Sequence, residues 1–394
     1  MTSAVGWDAH PLVAQWPGLP SLPGDRHVDA CVVGLGASGL AAVEAFVERG
    51  LSVVGVDAGR VAGAAAGRNG GFLLGGGAPF LHDAIARWGD AAVDLYRATL
   101  AEIDRLEAVL RPGVLRRVGS LRLAGLPGDP RDDDEAADRE REAKDIAAHA
   151  AALRDCRISV EDYDGELGTG IYLRDDAAVN PALRAIELAA RLEHRAELYE
   201  QSRVERVRPG AVSTAHGTVH AQVIVVAVDG NLDRLVPRLS DRVRTARLQM
   251  LATAPTRPGR LPCPVYGRWG YDYAQQDVDG RLYVGGGRDR FVQDEWTARD
   301  DPTPGVQEHI EHVAARMAGA PVTVTHRWAA SVGFTADGRA LCTPVDPGVV
   351  AVGGYSGTGN LVGPVAARAA VALLLDGRWP SRYFAVTASD SERG

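Results

Sequence analysis

Three glycines, Gly34, Gly36 and Gly39, form a Gly-x-Gly-x-x-Gly turn between a predicted strand and a predicted helix. In such a turn the first glycine permits the tight bend, the second lets the backbone approach a pyrophosphate, and the third lets the helix pack on the strand. Asp57 follows about twenty residues later, where a carboxylate can accept both hydroxyls of a ribose. The pattern predicts a dinucleotide site, and a glycine turn without a ligand is the alternative interpretation.

Two further glycine-rich segments bear on which dinucleotide is bound, because the turn alone does not distinguish FAD from NAD. The loop at residues 62–77 has Ala-Ala-Gly-Arg-Asn-Gly-Gly-Phe at its centre, and such a loop can lay backbone amides against a flat ring. Residues 353–360 run into a predicted helix at 361–375. The N-terminus of that helix would stabilise the negative charge that accumulates on a reduced flavin.

These segments resemble the D-amino-acid oxidase superfamily of FAD-dependent oxidoreductases, in the branch of gamma-glutamylputrescine oxidase, sarcosine oxidase and glycine oxidase. Residues 66–71 look like its Ser-Gly-Arg-Asn-Gly-Gly segment, and residues 328–337 resemble its Trp-x-Gly and Thr-x-Asp segment. Residues 179–181 resemble the entry to the helix after the substrate-domain insertion, and residues 354–359 are similar to a Gly-x-Ser-Gly-His-Gly loop at the flavin. The likeness covers residues 28–377.

The turn, the two loops and the resemblance together imply FAD as the cofactor. The expected FAD contacts are Gly34, Gly36, Ala37, Ser38, Gly39, Asp57, Ala58, Arg60, Ala66, Gly67, Arg68, Asn69, Gly70, Gly71, Val204, Ala227, Gly354, Tyr355, Gly357, Thr358, Gly359 and Asn360.

Departures from the family pattern narrow the expected chemistry. Family members with a cysteine-linked flavin carry the cysteine where this chain has Ala330, so the FAD is expected to be non-covalent. Val332 replaces the arginine that holds the substrate carboxylate in amino-acid oxidases, which argues against a simple α-amino acid held in that way. The strand at 282–284 lacks the lysine with which sarcosine oxidases activate oxygen, and Thr358 replaces the loop histidine. Because this lysine is missing, an electron acceptor other than oxygen is an alternative for reoxidising the flavin.

An aromatic stripe is the predicted substrate wall. Trp269, Tyr271 and Tyr273 alternate on a predicted strand, so they are expected to share one face, with Asp272 facing outward. Aromatic faces can hold a cationic or alkyl amine, and plain packing in a sheet core is the alternative. The expected substrate-binding residues are Tyr266, Trp269, Tyr271 and Arg68, and the expected catalytic residues are Tyr273, Tyr355 and Arg288.

Arg288 and Arg68 are candidates for binding a carboxylate or phosphate of the substrate in two parallel hydrogen bonds. Either arginine could instead pair with an acidic neighbour. His309 and His312 fall on a predicted surface helix and receive no role, and no grouping of cysteine and histidine indicates a metal site.

The elements that position these residues predict an α/β fold in two domains. A βαβ unit at residues 28–56 implies a parallel, Rossmann-like sheet, whereas the aromatic, alternating stretch at 247–284 implies an antiparallel sheet in an α+β substrate domain. We expect one helix at 81–110, one solvated helix over the charge run at 129–144, and Trp7 and Trp16 exposed on a surface extension. The predicted ranges are an N-terminal extension at 1–27, an FAD domain at 28–80, 178–240 and 335–380, a substrate domain at 81–177 and 241–334, and a tail at 381–394.

Composition excludes several classes of protein. The 394 residues carry a net charge of −8, which offers no basic field for nucleic acid. No apolar stretch reaches the ~20 residues that span a bilayer, so we expect no membrane partner and a cytoplasmic location. The four cysteines form no CxxC pair, which agrees with a reducing compartment.

The leading functional hypothesis is FAD-dependent oxidation of an amine or amino acid, with oxygen reduced to hydrogen peroxide. A dehydrogenase that passes electrons to a quinone or carrier is a second hypothesis. A protein that holds FAD without turnover and a plain NAD dehydrogenase are the remaining alternatives.

Overall fold

The computed structural model describes residues 5–385, so residues 1–4 of the expected extension and 386–394 of the expected tail lie outside the described residues. The helices are α1 (Pro11–Ala14), α2 (Ala37–Glu48), α3 (Ala65–Arg68), α4 (Leu81–Trp88), α5 (Asp90–Val109), α6 (Asp133–Asp155), α7 (Pro181–Leu192), α8 (Leu232–Leu235), α9 (Val292–Glu295), α10 (Pro304–Ala318) and α11 (Val362–Asp376). The strands are β1 (Arg26–Val33), β2 (Val53–Val56), β3 (Phe72–Leu73), β4 (Leu115–Arg116), β5 (Ser120–Leu123), β6 (Glu161–Gly165), β7 (Gly168–Leu173), β8 (Ala177–Val179), β9 (Glu197–Tyr199), β10 (Val204–Arg208), β11 (Ala211–Thr214), β12 (Gly217–Val226), β13 (Arg244–Pro255), β14 (Val265–Gly267), β15 (Asp272–Gln276), β16 (Arg281–Gly286), β17 (Val324–Phe334), β18 (Leu341–Asp346) and β19 (Val349–Gly353).

The first sheet has a parallel centre. β1 pairs in parallel with β2 and β12, β2 pairs in parallel with β9, and β12 pairs in parallel with β19. β10 and β11 continue the sheet as an antiparallel meander, and β18 adds to β19. Helices α2 and α11 contact each other and pack on this sheet. Strands β2 and β19 are buried at every residue and are rich in valine, and the second half of β1 is buried as well. The expected Rossmann-like sheet is confirmed.

The second sheet is mostly antiparallel, in the order β17-β13-β16-β15-β14-β5-β7-β6. Its longest pairing joins β13 to the edge strand β17, and only β14 with β5 runs parallel. Helix α10 covers one face, where Ile310 packs in a buried cluster with Leu251 and Val284. The expected antiparallel sheet is therefore confirmed, while the domain ranges themselves stay a prediction.

Two expectations about individual elements are wrong, and a third is only partly confirmed. The helix expected at 81–110 divides into α4 and α5, because Gly89 lies between them with a φ of 58°. The charge run forms one helix from Asp133 as expected, with most of its charged side chains exposed, but Glu142 is only 2% exposed. Trp7 is 3% exposed because its ring stacks on Tyr283, so it belongs to the core.

Within residues 5–385, no helix combines the length and the apolar composition that a bilayer crossing requires.

Candidate active site

The glycine turn lies where β1 passes into α2. Gly34 has a φ of +94°, and a Cβ on Gly39 would lie 1.7 Å from the Gly34 carbonyl oxygen, so the helix packs directly on the turn. Gly36 is the N-cap of α2 and provides no side-chain hydrogen bond to the first turn. The amides that begin α2 are therefore not capped by a side chain and face the adjoining cleft, which suits a phosphate.

Asp57 follows β2 and is held in a fixed orientation. Its Oδ2 accepts from the Leu35 amide at 2.7 Å and its Oδ1 accepts from the Gly59 amide at 2.9 Å. Burial raises the pKa of this carboxyl, and the two backbone donors oppose the rise. Each oxygen keeps a lone pair for a further donor, as a ribose hydroxyl would supply.

The two glycine-rich loops meet through paired side-chain amides. Asn69 Nδ2 donates to Asn360 Oδ1 at 3.1 Å, and Asn360 Nδ2 donates back to Asn69 Oδ1 at 2.9 Å. Arg184, buried on α7, donates to the Asn360 carbonyl at 2.8 Å. Segments 291 residues apart are thus joined directly.

Two tryptophans hold the first of these loops from behind. The Trp7 indole N–H donates to the Asn69 carbonyl at 2.9 Å, and the Trp328 indole N–H donates to the Arg68 carbonyl at 2.8 Å. Both rings are buried, at 3% and 0% exposure. The extension before β1 therefore helps to fix the backbone of the loop.

Asp229 anchors the closing loop. Its Oδ1 accepts from the amides of Gly354 and Tyr355 at 2.9 and 3.3 Å, and its Oδ2 accepts from the Gly333 amide at 3.1 Å. Burial raises the pKa of Asp229 to about 6. Further along the loop, the amides of Gly359 and Asn360 have no acceptor among residues 5–385, so they remain available to a ligand.

One cleft of about 1530 Å³ runs between these segments. The expected residues that line it are Gly34, Gly36, Ala37, Ser38, Asp57, Ala58, Arg60, Ala66, Arg68, Asn69, Gly70, Val204, Ala227, Tyr266, Trp269, Tyr271, Tyr273, Arg288, Tyr355, Gly357, Thr358, Gly359 and Asn360. Gly39, Gly67, Gly71 and Gly354 do not line it. Those four glycines lie behind the surface: a Cβ on Gly67, for instance, would fall 2.2 Å from the Ala62 carbonyl oxygen.

Three aromatic rings form a wall of the cleft. The rings of Tyr266 and Tyr273 lie 5.6 Å apart on neighbouring strands, and Phe72 meets them edge to face at 5.0 and 5.7 Å. A Cβ on Gly70 would lie 3.1 Å from the Tyr273 ring, so the wall continues directly from the glycine loop. Burial raises the pKa of Tyr266 to about 12 and that of Tyr273 further, so both hydroxyls keep their protons at neutral pH.

Trp269 and Tyr271 reach the cleft by a different route from the one expected. The strand begins only at Asp272, and the preceding turn has positive φ angles of 52° at Arg268 and 55° at Trp269. Buried Glu142 of α6 accepts from the amides of both turn residues, and burial raises its pKa to about 7. The expectation that Trp269, Tyr271 and Tyr273 share one strand face is therefore wrong, although all three line the cleft.

The expectation that Asp272 faces outward is also wrong. Asp272 does alternate with Tyr273, but helix α10 covers the opposite face of the sheet, so its side chain is fully buried. It pairs with Arg268 at 2.6 Å and with His309 at 2.9 Å. His309 is only 11% exposed, so its helix is not simply a surface helix.

The two arginines named from the sequence differ in their surroundings. Arg68 has acceptors in Asp300 at 3.4 Å and in the Ala329 carbonyl at 3.3 Å. Arg288 lies over the rings of Phe334 and Trp296 at 4.3 and 5.3 Å, and no carboxylate of the described residues pairs with it. Tyr355, by contrast, has a buried ring whose hydroxyl lies beside Ser38 at the start of α2.

Sequence reasoning missed four residues that shape the site: Trp7, Glu142, Arg184 and Asp229. Only Asp229 carried a local signal: it lies three residues after the end of the buried strand β12, at the carboxyl edge of a parallel sheet, where side chains are close to the ligand crevice.

A parallel sheet with a glycine turn after its first strand, an acid after its second strand and an adjoining cleft is typical of dinucleotide-binding proteins. The family model described as FAD dependent oxidoreductase (DAO) matches residues 29–373. The chain belongs to this family, and its cofactor is FAD.

Individual proteins resemble the chain over most of its length. The probable oxidoreductase OrdL of Rhizobium meliloti (strain 1021) is 28% identical over 374 residues, which are 89% of this chain and 83% of that protein. The gamma-glutamylputrescine oxidoreductase of Escherichia coli (strain K12) is 25% identical over 369 residues, with 88% and 83% covered. The crystal structure of glycine oxidase from Geobacillus kaustophilus has a similar fold, with a TM-score of 0.71 and 20% identity over 92% of this chain and 99% of that one.

The residues of the cleft fit FAD. A volume of about 1530 Å³ exceeds the ~300–1,000 Å³ of common small-molecule pockets, which leaves room for a dinucleotide together with a substrate. The uncapped amides of α2 suit its pyrophosphate, and Asp57 suits its ribose. The described lining contains neither cysteine nor histidine for a covalent link, in agreement with the non-covalent FAD that is typical of the family.

Proposed function

We propose that this flavoprotein oxidises the C–N single bond of an amine or amino acid to an imine, which water hydrolyses, and that oxygen is reduced to hydrogen peroxide. The observation that carries the proposal is the aromatic wall of Tyr266, Tyr273 and Phe72, which opens into the same cleft as both glycine-rich loops. When bound, FAD supplies the acceptor for a hydride from the carbon next to nitrogen. The names of the relatives, an oxidoreductase of gamma-glutamylputrescine and an oxidase of glycine, support a nitrogen-containing substrate.

The protein's part in this reaction is positioning rather than acid–base catalysis. Tyr266 and Tyr273 keep their protons, so they act as walls and hydrogen-bond donors and not as bases. The substrate ammonium therefore gives its proton to water before the neutral amine reacts. The two tyrosine rings exclude water from the reacting carbon. Within the aromatic wall, we assign the catalytic position to Tyr273, because its ring lies against Gly70 of the glycine loop.

Trp269, Tyr271 and Arg288 belong to the proposed substrate side of the cleft. Trp269 is fixed because its indole N–H donates to Asp145 at 2.7 Å, while Tyr271 is 41% exposed at the mouth. Arg288 has a charge with no carboxylate partner among residues 5–385, so it suits an anionic group of the substrate. Arg68 already has protein acceptors, which favours a supporting role at the flavin.

The closing loop is proposed to stabilise the negative charge of the reduced cofactor. The amides of Gly359 and Asn360 have no acceptor among the described residues, and Asp229 fixes the loop that carries them. Donors held in place before reaction act without reorganisation. We propose that Tyr355 supports catalysis by packing its buried ring at the base of this loop, which helps to keep the loop in place.

A dehydrogenase that passes electrons to a quinone or carrier is the second candidate function. The observation in its favour is the absence of lysine from the described lining of the cleft. The single lysine, Lys144, is exposed on α6.

Anaerobic mixing of the purified FAD-loaded protein with a panel of amines and amino acids tests the proposal. At least one free amine should bleach the visible absorption of the flavin. Its N-acetylated counterpart should not, because the nitrogen lone pair of an amide is delocalised into the carbonyl group. If no member of a broad panel bleaches the flavin, C–N oxidation is the wrong reaction. Peroxide formed per turnover in air then separates the oxidase from the dehydrogenase.

A further inference from the structure

Arg122 carries a charge inside the cleft that the protein leaves without an acceptor. It lies on β5, lines the cleft and is partly buried. Its Nε is buried without a hydrogen-bond partner, and within residues 5–385 no carboxylate pairs with its guanidinium. A buried charge of this kind is costly unless a partner of opposite charge arrives.

Aromatic rings frame the Arg122 guanidinium. Its central carbon lies 5.4 Å from the centre of the Phe80 ring and 5.7 Å from that of Tyr266. Rings held at this distance attract the cation through their faces and do not accept its in-plane N–H hydrogen bonds. The guanidinium edge is therefore free for a planar, bidentate acceptor such as a carboxylate.

Asp176 is an acidic residue that interacts electrostatically with Arg122, but its oxygens already accept other hydrogen bonds. Asp176 accepts from the Ser120 hydroxyl at 2.6 Å and from the Gly75 amide at 2.8 Å. Burial raises the pKa of this carboxyl to about 6 and the Arg122 charge opposes the rise, yet both carboxylate oxygens already accept other donors and no ion pair joins Asp176 to Arg122 among the described residues. An anion in the cleft would be a better partner.

The sheet fixes Arg122 relative to the flavin-facing loop. Arg122 is the strand partner of Tyr266, and Tyr266 is the strand partner of Tyr273, so the three residues form one row across β5, β14 and β15. Tyr273 lies against Gly70 at the flavin end of this row. Two strand spacings place Arg122 roughly 10 Å from that end.

We propose that Arg122 binds a carboxylate at the far end of the substrate, so that the preferred substrates are amines whose carboxylate is several bonds away from the reacting C–N bond. This inference rests on the proposed function and makes Arg122 a determinant of substrate length. It also gives the cleft a carboxylate-binding arginine, although Val332 stands where other family members carry one.

Calorimetric titration of the FAD-loaded protein with caproate, which has a carboxylate but no amine to oxidise, tests the role of Arg122. Caproate should bind more tightly than its neutral amide, caproamide. Arg122→Met should weaken caproate binding by about 10- to 100-fold, the loss expected for a charge-assisted pair, and leave caproamide binding unchanged. Arg122→Lys, which keeps the charge but not the planar fork, should give an intermediate affinity.

Arg87→Gln is the matched control, because Arg87 is an exposed arginine at the rim of the same cleft, and this variant should bind caproate as the unchanged protein does. Bound FAD per chain confirms that each variant is folded. Equal affinity for caproate and caproamide, or a loss of caproate binding with Arg288→Met rather than with Arg122→Met, would overturn the proposal. Because calorimetry needs no turnover, its failure is distinct from a failure of the amine panel to bleach the flavin.

Discussion

The amide pair between Asn69 and Asn360 should couple the two ends of the chain energetically. Asn360→Ala removes both amide-to-amide hydrogen bonds, the 2.9 Å bond to the Phe72 carbonyl and the 3.3 Å bond from Arg184. At about 1 kcal/mol for each bond, the free energy of unfolding should fall by about 3–4 kcal/mol. Two of the four bonds are shared with Asn69, so about 2 kcal/mol of this loss should be common to Asn69→Ala.

A double-mutant cycle in urea measures this coupling, with the dissociation constant for FAD recorded in parallel. The double variant should be less destabilised than the sum of the single variants by about 2 kcal/mol. Thr214→Ala is the control, because it removes two hydrogen bonds from the remote β11–β12 hairpin. It should add to Asn69→Ala without coupling and leave FAD affinity unchanged. Simple additivity of Asn69→Ala and Asn360→Ala would refute the reasoning.

Three further predictions concern the supports of the site. Glu142 has a pKa of about 7 in the folded protein and near 4.5 in the unfolded chain. Because the folded state holds this proton more tightly, the free energy of unfolding should fall by about 3 kcal/mol as pH rises from 4.5 to 7. Glu142→Gln should flatten that dependence in denaturation curves, and an unaltered slope would contradict the assignment. Trp7→Phe keeps a ring but loses the 2.9 Å hydrogen bond to the glycine loop. The affinity for FAD, measured by fluorescence titration, should therefore fall about tenfold. An unchanged affinity would show that the N-terminal extension does not support the FAD site. Gly39→Ala places a Cβ 1.7 Å from a carbonyl oxygen, so it should lower the free energy of unfolding, measured by thermal denaturation, by more than about 3 kcal/mol. Gly363→Ala, whose Cβ would have its nearest contact at 3.4 Å, should be tolerated. Equal effects of the two variants would show that the turn is not close-packed.

Local sequence patterns predicted the parts of the site that local backbone geometry creates. The turn at Gly34 and the helix after it follow from glycine spacing and apolar periodicity, and both are present. Residues 353–360 were expected to run into a helix, and α11 begins at Val362. Tyr273 and Arg288 were also expected at the site and do line the cleft, although their chemical roles stay a prediction.

Contacts between distant segments were beyond such patterns. Asp229 and Gly354 are 125 residues apart, and Trp7 and Asn69 are 62 apart, so no periodicity within one segment could join them. Glu142 looked like one more solvated charge, because a helical charge run gives no sign that one of its residues supports a turn elsewhere. Asp272 was misplaced because alternation identifies opposite faces of a strand but not what covers each face.

Amide hydrogen exchange, compared between the apoprotein and the FAD-loaded protein, tests most directly whether both ends of the chain close on one flavin. FAD should slow exchange at residues 35–39 and at residues 357–360 in the same titration, with half-protection at the same FAD concentration. Protection confined to residues 35–39, with the second stretch exchanging equally fast in both forms, would contradict the account.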